Sequence, residues 1–271
     1  MRALLVLGAT LAFAAPSLSP AQEAVVPAAD AKVSASGAKV WLGRYAEYEE
    51  YLRTAPIERV VDVGQGVTNP KQAFFRPGGL AESAAAKPLR PGRQKGHWES
   101  YKSEIAAYEM DRLLGLDMVP VTVERTVEGA QASVQLWMQG CRLLSDLESQ
   151  KSPDPRKWAK DVCRQRAFDA VIGNIDRNSG NILIDEDWNI ILIDHSRAFS
   201  ADRMPFEKEI TRLDRKFFAA LKALDEEAVT ERLKPWLFEQ SIRELLKRRD
   251  KVVSKLEKLA NEKGSLAVFA F

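Results

Sequence analysis

The sequence predicts an α+β fold in two parts, a small antiparallel sheet with one helix followed by a larger, mainly helical part. Three observations predict it. Strand-like segments surround a single helical pattern up to residue 140, apolar residues recur at helical spacing after it, and one strand hairpin interrupts the later helices at 182–193. The chain has 271 residues, of which 45% are hydrophobic, so it can bury a substantial core.

The first part opens with a helix and continues in strands. Within 38–55, Trp41, Tyr45, Tyr48 and Leu52 recur at helical spacing, and we expect this stripe to pack in the core. A second helix is predicted at 99–116, ending near Gly115. Apolar or β-branched segments bounded by turn residues predict strands or strand-containing segments at 57–68, 71–76, 80–87, 121–126 and 131–138.

The second part is predicted to be helical apart from its hairpin. We expect a helix near 142–150, a long helix at about 156–172 that starts at the Ser152-Pro153-Asp154-Pro155 segment, and charged helices from 205 to 263. The hairpin strands flank a turn at 186–189. The basic residues near the C-terminus alternate with apolar and acidic ones, which is typical of a solvated amphipathic helix.

Composition and the N-terminus limit the class of protein. The 40 basic and 38 acidic residues give a net charge of +2, which argues against a nucleic-acid partner. Met1 and Arg2 precede an apolar stretch too short to span a bilayer, and small residues follow it. We therefore expect a cleaved signal peptide at about 1–21, export to the periplasm or beyond, and no transmembrane segment in the mature chain.

The two cysteines, Cys141 and Cys163, leave two interpretations open. An exported protein permits a disulfide between them, whereas Cys163 lies in an amphipathic helical pattern where a buried thiol is equally consistent. The two histidines, His97 and His195, do not supply a His-rich zinc site.

Three polar residues at the base of the hairpin carry the strongest functional signal. Asp176 and Asn181 form a D-x-x-x-x-N pattern, and Asp194 follows the second strand. Because a hairpin returns its end to its beginning, Asn181 and Asp194 should lie close together, and oxygen ligands there suit magnesium carried by nucleotide phosphates. Asp176 would then accept or orient an incoming hydroxyl. Asp and Asn are also common turn residues, so the pattern requires partners elsewhere.

Those partners are a lysine and a glutamate in the first part. Lys87 ends an apolar strand, and Glu104 lies in the following helix, the order in which a strand lysine and a helix glutamate hold ATP phosphates in kinases. Gly64 and Gly66 lie between two predicted strands, where backbone amides could approach phosphates or form an ordinary bulge.

The segments GNIDRNSGNILID and IILIDHSRAF, together with 99–126, resemble the atypical kinases. These include the phosphoinositide kinases, the HipA-type bacterial kinases and the secreted Golgi casein and xylosyl kinases, and the last group and its bacterial relatives are the most similar. The resemblance covers about 57–260. It implies a two-lobed protein-kinase-like fold divided into a signal peptide (1–21), a lead and helix (22–56), an N-lobe (57–140) and a C-lobe (141–271).

The resemblance also implies a role for each candidate residue. Lys87, preferred to Lys71 and Lys95 because it ends an apolar strand before the helix, would contact the α and β phosphates of ATP, and Glu104 would hold Lys87. Asp176 would be the catalytic acid-base residue. Asn181 and Asp194 would bind Mg²⁺ or Mn²⁺. The hinge beside the adenine would comprise residues from 135 to 140, among them Gln135, Trp137 and Met138.

Two positions depart from the pattern of the resembled kinases. Asn178 stands where many of them have histidine, and His195-Ser196 follows the metal aspartate instead of Phe-Gly or Asn-Gly. The second departure concerns the control of the loop after Asp194. Neither removes a charged member of the set.

Two functions of different class are expected on these grounds. The first is an exported ATP- and Mg²⁺-dependent kinase that transfers the γ-phosphoryl group to a hydroxyl of a protein or glycan. The alternative is a catalytically inactive kinase-like scaffold or binding module. The presence of Lys87, Asp176 and Asp194 together favours the enzyme.

Overall fold

Alternating strands in the first part of the chain form a five-stranded antiparallel sheet. The computed structural model describes residues 39–64, 70–94, 96–147, 150–200 and 210–271. Its strands are Ile57–Asp62 (β1), Lys71–Phe75 (β2), Ser83–Lys87 (β3), Gly92–Gln94 (β4), His97–Glu99 (β5), Thr122–Val127 (β6), Ala130–Leu136 (β7), Arg142–Leu143 (β8), Ile182–Ile184 (β9) and Ile190–Leu192 (β10). The main sheet has the order β1-β2-β3-β7-β6.

The register of the main sheet determines which side chains share a face. Lys87 lies opposite Ser133, and Ala85 lies opposite Gln135, on the central β3-β7 pair. Ala84 and Ala86 point to the other face and are fully buried in the main core. The alternation of strand side chains therefore separates a face carrying Lys87 from a face that packs in the core.

The helices are Tyr45–Thr54 (α1), Tyr101–Leu114 (α2), Pro155–Ile172 (α3), Arg215–Ala223 (α4), Glu226–Leu233 (α5), Glu239–Lys263 (α6) and Ser265–Val268 (α7). Local chemistry explains the ends of α2. Ser100 accepts a hydrogen bond from the Lys102 backbone N–H at the start, and Gly115 adopts a left-handed conformation at the end.

Helix α3 begins as the Ser-Pro-Asp-Pro segment predicts. Asp154 accepts hydrogen bonds from the backbone N–H groups of Arg156 and Lys157, and Pro155 occupies the first helical position, where no donor is needed. The helix ends at Gly173, again left-handed. This end aims the chain into residues 174–181.

The second part contains a three-stranded sheet, ordered β10-β9-β8, among its helices. The predicted hairpin is confirmed: Ile182 pairs with Leu192, and Ile184 with Ile190. The predicted helix at 142–150 is wrong. Residues 142–143 form β8, which pairs with β9, and Leu144–Leu147 make one turn of 3-10 helix. Pairing with an open hairpin edge outweighs local helical preference here.

Two further differences concern the first part. The helix predicted at 38–55 begins at Tyr45, because Gly43 has a positive φ and residues 39–43 form turns, although Trp41 is fully buried as expected. The segment 88–98, between the strand-containing segment predicted at 80–87 and the helix predicted at 99–116, contributes to the β4-β5 hairpin. The signal peptide predicted at 1–21 and the lead up to residue 38 lie outside the described residues.

The long C-terminal helix α6 is amphipathic and packs on α3. Its apolar side chains Ile242, Leu245, Val252 and Leu256 are buried, as the interpretation of a solvated helix requires. In the described part of the chain, no helix combines the length and apolar character needed to cross a membrane. Cys141 and Cys163 are free, half-buried thiols, so the disulfide alternative is not formed.

Candidate active site

The ammonium group of Lys87 joins the two parts of the molecule. Its Nζ lies 2.6 Å from Glu104 Oε1 in α2 and 3.0 Å from Asp194 Oδ1 beyond β10. Burial alone would lower the pKa of Lys87, but the two carboxylates outweigh it and raise that pKa. The lysine is therefore charged, and it contacts Asp194, which lies 107 residues further along the chain.

Glu104 has a second partner in the loop after β10. Its Oε2 accepts a hydrogen bond of 2.8 Å from the backbone N–H of His195. Burial would raise the pKa of Glu104, but the charge of Lys87 and the adjacent His195 side chain outweigh it, so that its pKa is lowered. Glu104 thus fixes both Lys87 and the residue that follows Asp194.

Asp194 occupies an unusual backbone conformation. Its φ is +58°, in the left-handed region that aspartate tolerates better than most residues. Its Oδ1 also accepts a hydrogen bond of 3.1 Å from Ser196 Oγ. Because Ile193 N–H donates to Asn181 C=O at 3.2 Å, the hairpin brings Asn181 beside Asp194, as expected.

The Asn181 and Asp194 side chains fit a hard divalent cation. Asn181 Nδ2 donates to the Asp176 carbonyl at 2.9 Å, which orients its amide. Within the described ranges, Asn181 Oδ1 and Asp194 Oδ2 accept no hydrogen bond. The same part of the chain contains no group of three or more His, Cys, Asp and Glu able to hold a metal. Two oxygen donors suit Mg²⁺ or Mn²⁺ that keeps waters and arrives with phosphates.

Arg177 forms the buried support of the segment 174–181, between α3 and β9. Its Nε and Nη2 lie 3.0 and 3.1 Å from the two carboxylate oxygens of Asp169 in α3. Its Nη1 donates to the carbonyls of Asn181 and Ile193 at 2.5 and 2.8 Å. One planar guanidinium therefore fixes both ends of the β9-β10 hairpin against α3.

His195 connects Arg177 to Glu104. The ring is fully buried and packs edge-on against Phe168. Its Nε2 is 2.8 Å from Arg177 Nη2, and because a guanidinium can only donate, Nε2 must accept and the neutral ring carries its hydrogen on Nδ1. Nδ1 lies 3.6 Å from Glu104 Oε2. Burial lowers the pKa of His195, in keeping with a neutral ring.

Asp176 extends from this support toward solvent. Its backbone N–H donates to Asn174 Oδ1 at 3.2 Å, and its side chain is 39% exposed. Arg197 Nη1 donates to Asp176 Oδ2 at 3.0 Å, while Arg197 Nε donates to the buried Glu99 at 2.6 Å. The Asp176 carboxylate is partly exposed to solvent and is oriented by a charged partner.

The remaining predicted residues have mixed outcomes. Gly64 follows β1 with a φ of +70° and open space around it, whereas Gly66 lies outside the described residues. Gln135 Nε2 donates to Thr122 Oγ1 at 2.9 Å, so its amide N–H is used inside the sheet. Trp137 and Met138 are half-buried at the exit of β7. Their roles beside a nucleotide remain predictions.

The choice among the three lysines agrees with the geometry. Lys71 forms a solvent-exposed pair with Glu128 at 2.5 Å, and Lys95 lies outside the described residues. Lys87 is the lysine that reaches Glu104 and Asp194.

Several residues that support the site pair with partners that are not indicated by any local pattern in the sequence. Arg177 and Arg197 lie in the two motifs that flank and form the hairpin, whereas their partners Asp169 and Glu99 lie outside those two motifs, and the Arg197–Glu99 pair joins residues 98 apart. No local spacing indicates such a pair. The D-R dipeptide was the available signal for Arg177.

The chain is similar in fold to several solved structures. The sequence matches no protein-family profile and no curated protein. Among solved structures, the Golgi casein kinase with Mn and ADP bound has a TM-score of 0.63 at 16% identity, over 83% of this chain and 78% of that one. Hydra Fam20, solved with a sugar, has a TM-score of 0.67 at 16% identity, over 83% and 91%.

A bacterial structure is also similar. The Helicobacter pylori proinflammatory kinase CtkA has a TM-score of 0.54 at 16% identity, over 79% of this chain and 97% of that one. Likeness at this identity concerns the fold. The chain has the two-lobed α+β fold of the atypical kinases, as the sequence resemblance implies.

Proposed function

We propose that the protein is an ATP- and Mg²⁺- or Mn²⁺-dependent phosphotransferase that moves the γ-phosphoryl group to a hydroxyl of a protein or glycan. One observation carries the proposal: Lys87 Nζ lies between Glu104 and Asp194, 2.6 and 3.0 Å away. This is the lysine, helix glutamate and metal aspartate set by which kinases hold triphosphates. The fold and the Mn and ADP bound to the Golgi casein kinase support it.

In the proposed reaction, the acceptor hydroxyl attacks the γ-phosphorus in line with the leaving oxygen of ADP. The new oxygen–phosphorus bond forms as the bond to the β,γ-bridging oxygen breaks. Asp176 orients the hydroxyl and takes its proton, Lys87 neutralises phosphate charge, and Glu104 keeps Lys87 in place. A bound Mg²⁺ or Mn²⁺, held by Asn181 and Asp194, would supply further charge neutralisation on the phosphates.

Nucleotide turnover tests the proposal. Release of γ-phosphate from ATP to water, and its transfer to a panel of protein and glycan acceptors, is measured with Mg²⁺ or Mn²⁺. We expect turnover in the parent protein, loss of at least about 1000-fold in Asp176→Ala and Asp194→Ala, and weaker nucleotide use in Lys87→Ala. Parental turnover in Asp194→Ala would contradict the metal assignment.

The alternative is a catalytically inactive scaffold with the same fold. It is motivated by the expected export, because ATP is scarce outside a cytoplasm. A scaffold without nucleotide affinity would leave the Lys87 site without a ligand, and neither turnover nor metal-dependent nucleotide binding would be observed. The intact set of Lys87, Asp176 and Asp194 favours the enzyme.

Export itself is proposed from sequence alone. The apolar stretch and the small residues at 1–21 support a cleaved signal peptide. N-terminal sequencing of the protein recovered from the periplasm or medium tests this, and a protein retained in the cytoplasm with its N-terminus intact would contradict it.

A further inference from the structure

Arg197 places a cation at the proposed catalytic carboxylate. It lies three residues after Asp194, and its Nη1 is 3.0 Å from Asp176 Oδ2. The other end of the guanidinium is fixed, because Nε donates to Glu99 Oε1 at 2.6 Å and the Glu99 side chain is only 4% exposed. The side chain of Arg197 is therefore held by a buried partner while one edge reaches the open part of the site.

The guanidinium of Arg197 has N–H donors that these two hydrogen bonds do not use. Arginine carries five N–H donors, and Arg197 uses two of them in its bonds to Glu99 and Asp176. Among the described residues, its remaining donors have no hydrogen-bond partner. The side chain is 19% exposed, so a ligand beside Asp176 can reach these donors. Planar donors of this kind match the oxygens of a phosphoryl group.

The reaction geometry brings the transferred group to these donors. A catalytic carboxylate hydrogen-bonds its hydroxyl at about 2.6–3.2 Å. The hydroxyl oxygen in turn approaches the phosphorus to about 3–3.5 Å before attack. The phosphorus therefore lies at most about 6–7 Å from the Asp176 carboxylate, so its oxygens come within reach of a guanidinium that is already bonded to that carboxylate.

We propose that Arg197 is a catalytic residue that binds the equatorial oxygens of the γ-phosphoryl group during its transfer, with Glu99 as the positioning residue that orients it. The inference rests on the proposed function. As the acceptor oxygen bonds to phosphorus and the bond to ADP breaks, the equatorial oxygens carry the charge of the transferred group. Arg197 donates to them, no proton leaves the guanidinium, and the hydroxyl proton passes to Asp176.

This role explains why Glu99 is buried beside an arginine. A buried glutamate is costly unless it is paired and hydrogen-bonded, and Arg197 satisfies it. Two hydrogen bonds at the ends of β5 and α2 hold the same loop: Ser100 N–H donates to Ser196 C=O at 3.0 Å, and Ser103 Oγ donates to Ala198 C=O at 3.4 Å. Arg197 is thus fixed by backbone contacts on both sides.

Binding of a transition-state analogue gives a test that does not depend on turnover. Affinity for ADP with Mg²⁺ is compared with affinity for ADP, Mg²⁺ and aluminium fluoride, which mimics the planar phosphoryl group. We expect Arg197→Met to weaken the aluminium fluoride complex about 100-fold and to change ADP affinity less than about threefold, because the contact belongs to the transition state. Arg243→Met, on the exposed face of α6, is the matched control and should change neither affinity.

Turnover of ATP to ADP and phosphate gives the second measurement. Arg197→Met should lower kcat by about 100- to 1000-fold with little change in KM for ATP, and Arg197→Lys should recover part of the loss because it keeps charge without the planar fork. Equal loss of ADP and aluminium fluoride affinity, or kcat within threefold of the parent, overturns the role of Arg197. A parent protein without metal-dependent turnover overturns the proposed function as well, so the two failures are distinguishable.

A folding defect cannot imitate the expected result. Removing Arg197 leaves the Glu99 charge buried, so the double variant Glu99→Gln/Arg197→Met removes both members of the pair. We expect it to have a Tm within a few degrees of the parent and the same kcat loss as Arg197→Met. Recovery of parental kcat in the double variant would show that the single variant acted through misfolding and would overturn the proposal.

Discussion

Among single residues, Glu104 has two tasks: its buried carboxylate pairs with the charged Lys87 and also fixes the backbone of the loop after β10. One oxygen holds Lys87 and the other holds the backbone of His195, so a single buried side chain links β3, α2 and the loop after β10. A buried carboxylate is stable in this role only because both oxygens are satisfied and a cation is adjacent.

Replacing Glu104 by Gln should therefore produce a pH-dependent loss of stability. The lowered pKa of Glu104 adds stability that is fully present above its ordinary value of 4.5 and is lost as pH falls toward the folded pKa. We expect Glu104→Gln to lose about 3–5 kcal/mol in the free energy of unfolding at pH 7. The gap to the parent should narrow as pH falls from 5 to 3.

Urea unfolding at pH 7, 5 and 3.5 measures this gap. Glu239→Gln, at a side chain 82% exposed on α6, is the control and should cost less than about 1 kcal/mol. A gap between parent and Glu104→Gln that is constant with pH would show that the carboxylate is not held in its charged form by Lys87.

His195 is the residue at which the chain differs from the resembled kinases directly after Asp194. Instead of Phe or Asn, the chain has an imidazole that accepts from Arg177 and packs on Phe168 in the core. Its backbone N–H donates a hydrogen bond to Glu104, while its ring contacts Arg177 in the segment 174–181. The loop after Asp194 is therefore held by a buried polar residue linking the two lobes.

Among the secondary-structure elements, the end of α3 determines the direction of the segment 174–181. Gly173 ends α3 with a φ of +68°, and an added Cβ would lie 2.9 Å from Cζ of Arg248. Arg248, buried in α6, donates to the carbonyls of Val171 and Ser200 at 2.9 and 3.3 Å. Burial lowers the pKa of this guanidinium to about 10. Helix α6 thus contacts the chain both before the segment 174–181 and after Asp194.

A pair of glycine substitutions separates the backbone requirement from this contact. Gly115 ends α2 in the same left-handed conformation, but a Cβ there meets nothing within 4 Å. Gly115→Ala should cost about 1–2 kcal/mol from the conformation alone. Gly173→Ala should cost measurably more, because the Arg248 guanidinium must also move.

The difference between the two alanine variants is measured by urea unfolding at neutral pH. Equal costs would indicate that Arg248 moves aside freely and that α6 does not constrain the end of α3. A larger loss in the free energy of unfolding at Gly173, accompanied by lower ATP turnover, would show that the contact with Arg248 also positions the segment 174–181.

In the molecule as a whole, residues 194–198 form the contact between the two lobes. Lys87, Glu104, Glu99 and Ser100 of the first lobe contact Asp194, His195, Ser196 and Arg197 in this stretch. A nucleotide held by Lys87 and a metal held by Asn181 and Asp194 would add contacts across the same joint.

Ligand binding should therefore stabilise the whole fold. At ADP and Mn²⁺ concentrations near 100 times Kd, linkage adds about 2.7 kcal/mol to the free energy of unfolding. We expect a raised Tm for the parent with both ligands and loss of the metal-dependent part in Asp194→Asn. Differential scanning calorimetry with ADP, with Mn²⁺ and with both measures it, and an unchanged Tm with both would favour the scaffold.

Local patterns in the sequence were sufficient to predict most elements. The Asp154-Pro155 start of α3, the Gly115 end of α2 and the apolar runs of β9 and β10 each follow from residues adjacent in the chain. The same holds for Asn181 and Asp194, because a hairpin brings its ends together. Lys87 and Glu104 can be predicted because the strand that ends at Lys87 precedes the helix that contains Glu104.

Tertiary structure alone decided the rest, because those features depend on distant partners. The segment 142–150 becomes a strand and a 3-10 turn since β9 offers an open edge. Glu99 and Arg197 meet only when the loop after β10 packs against β5, and Asp169 becomes the partner of Arg177 only when α3 lies under the hairpin. Burial turns such pairs into fixed geometry, and burial depends on how the whole chain packs.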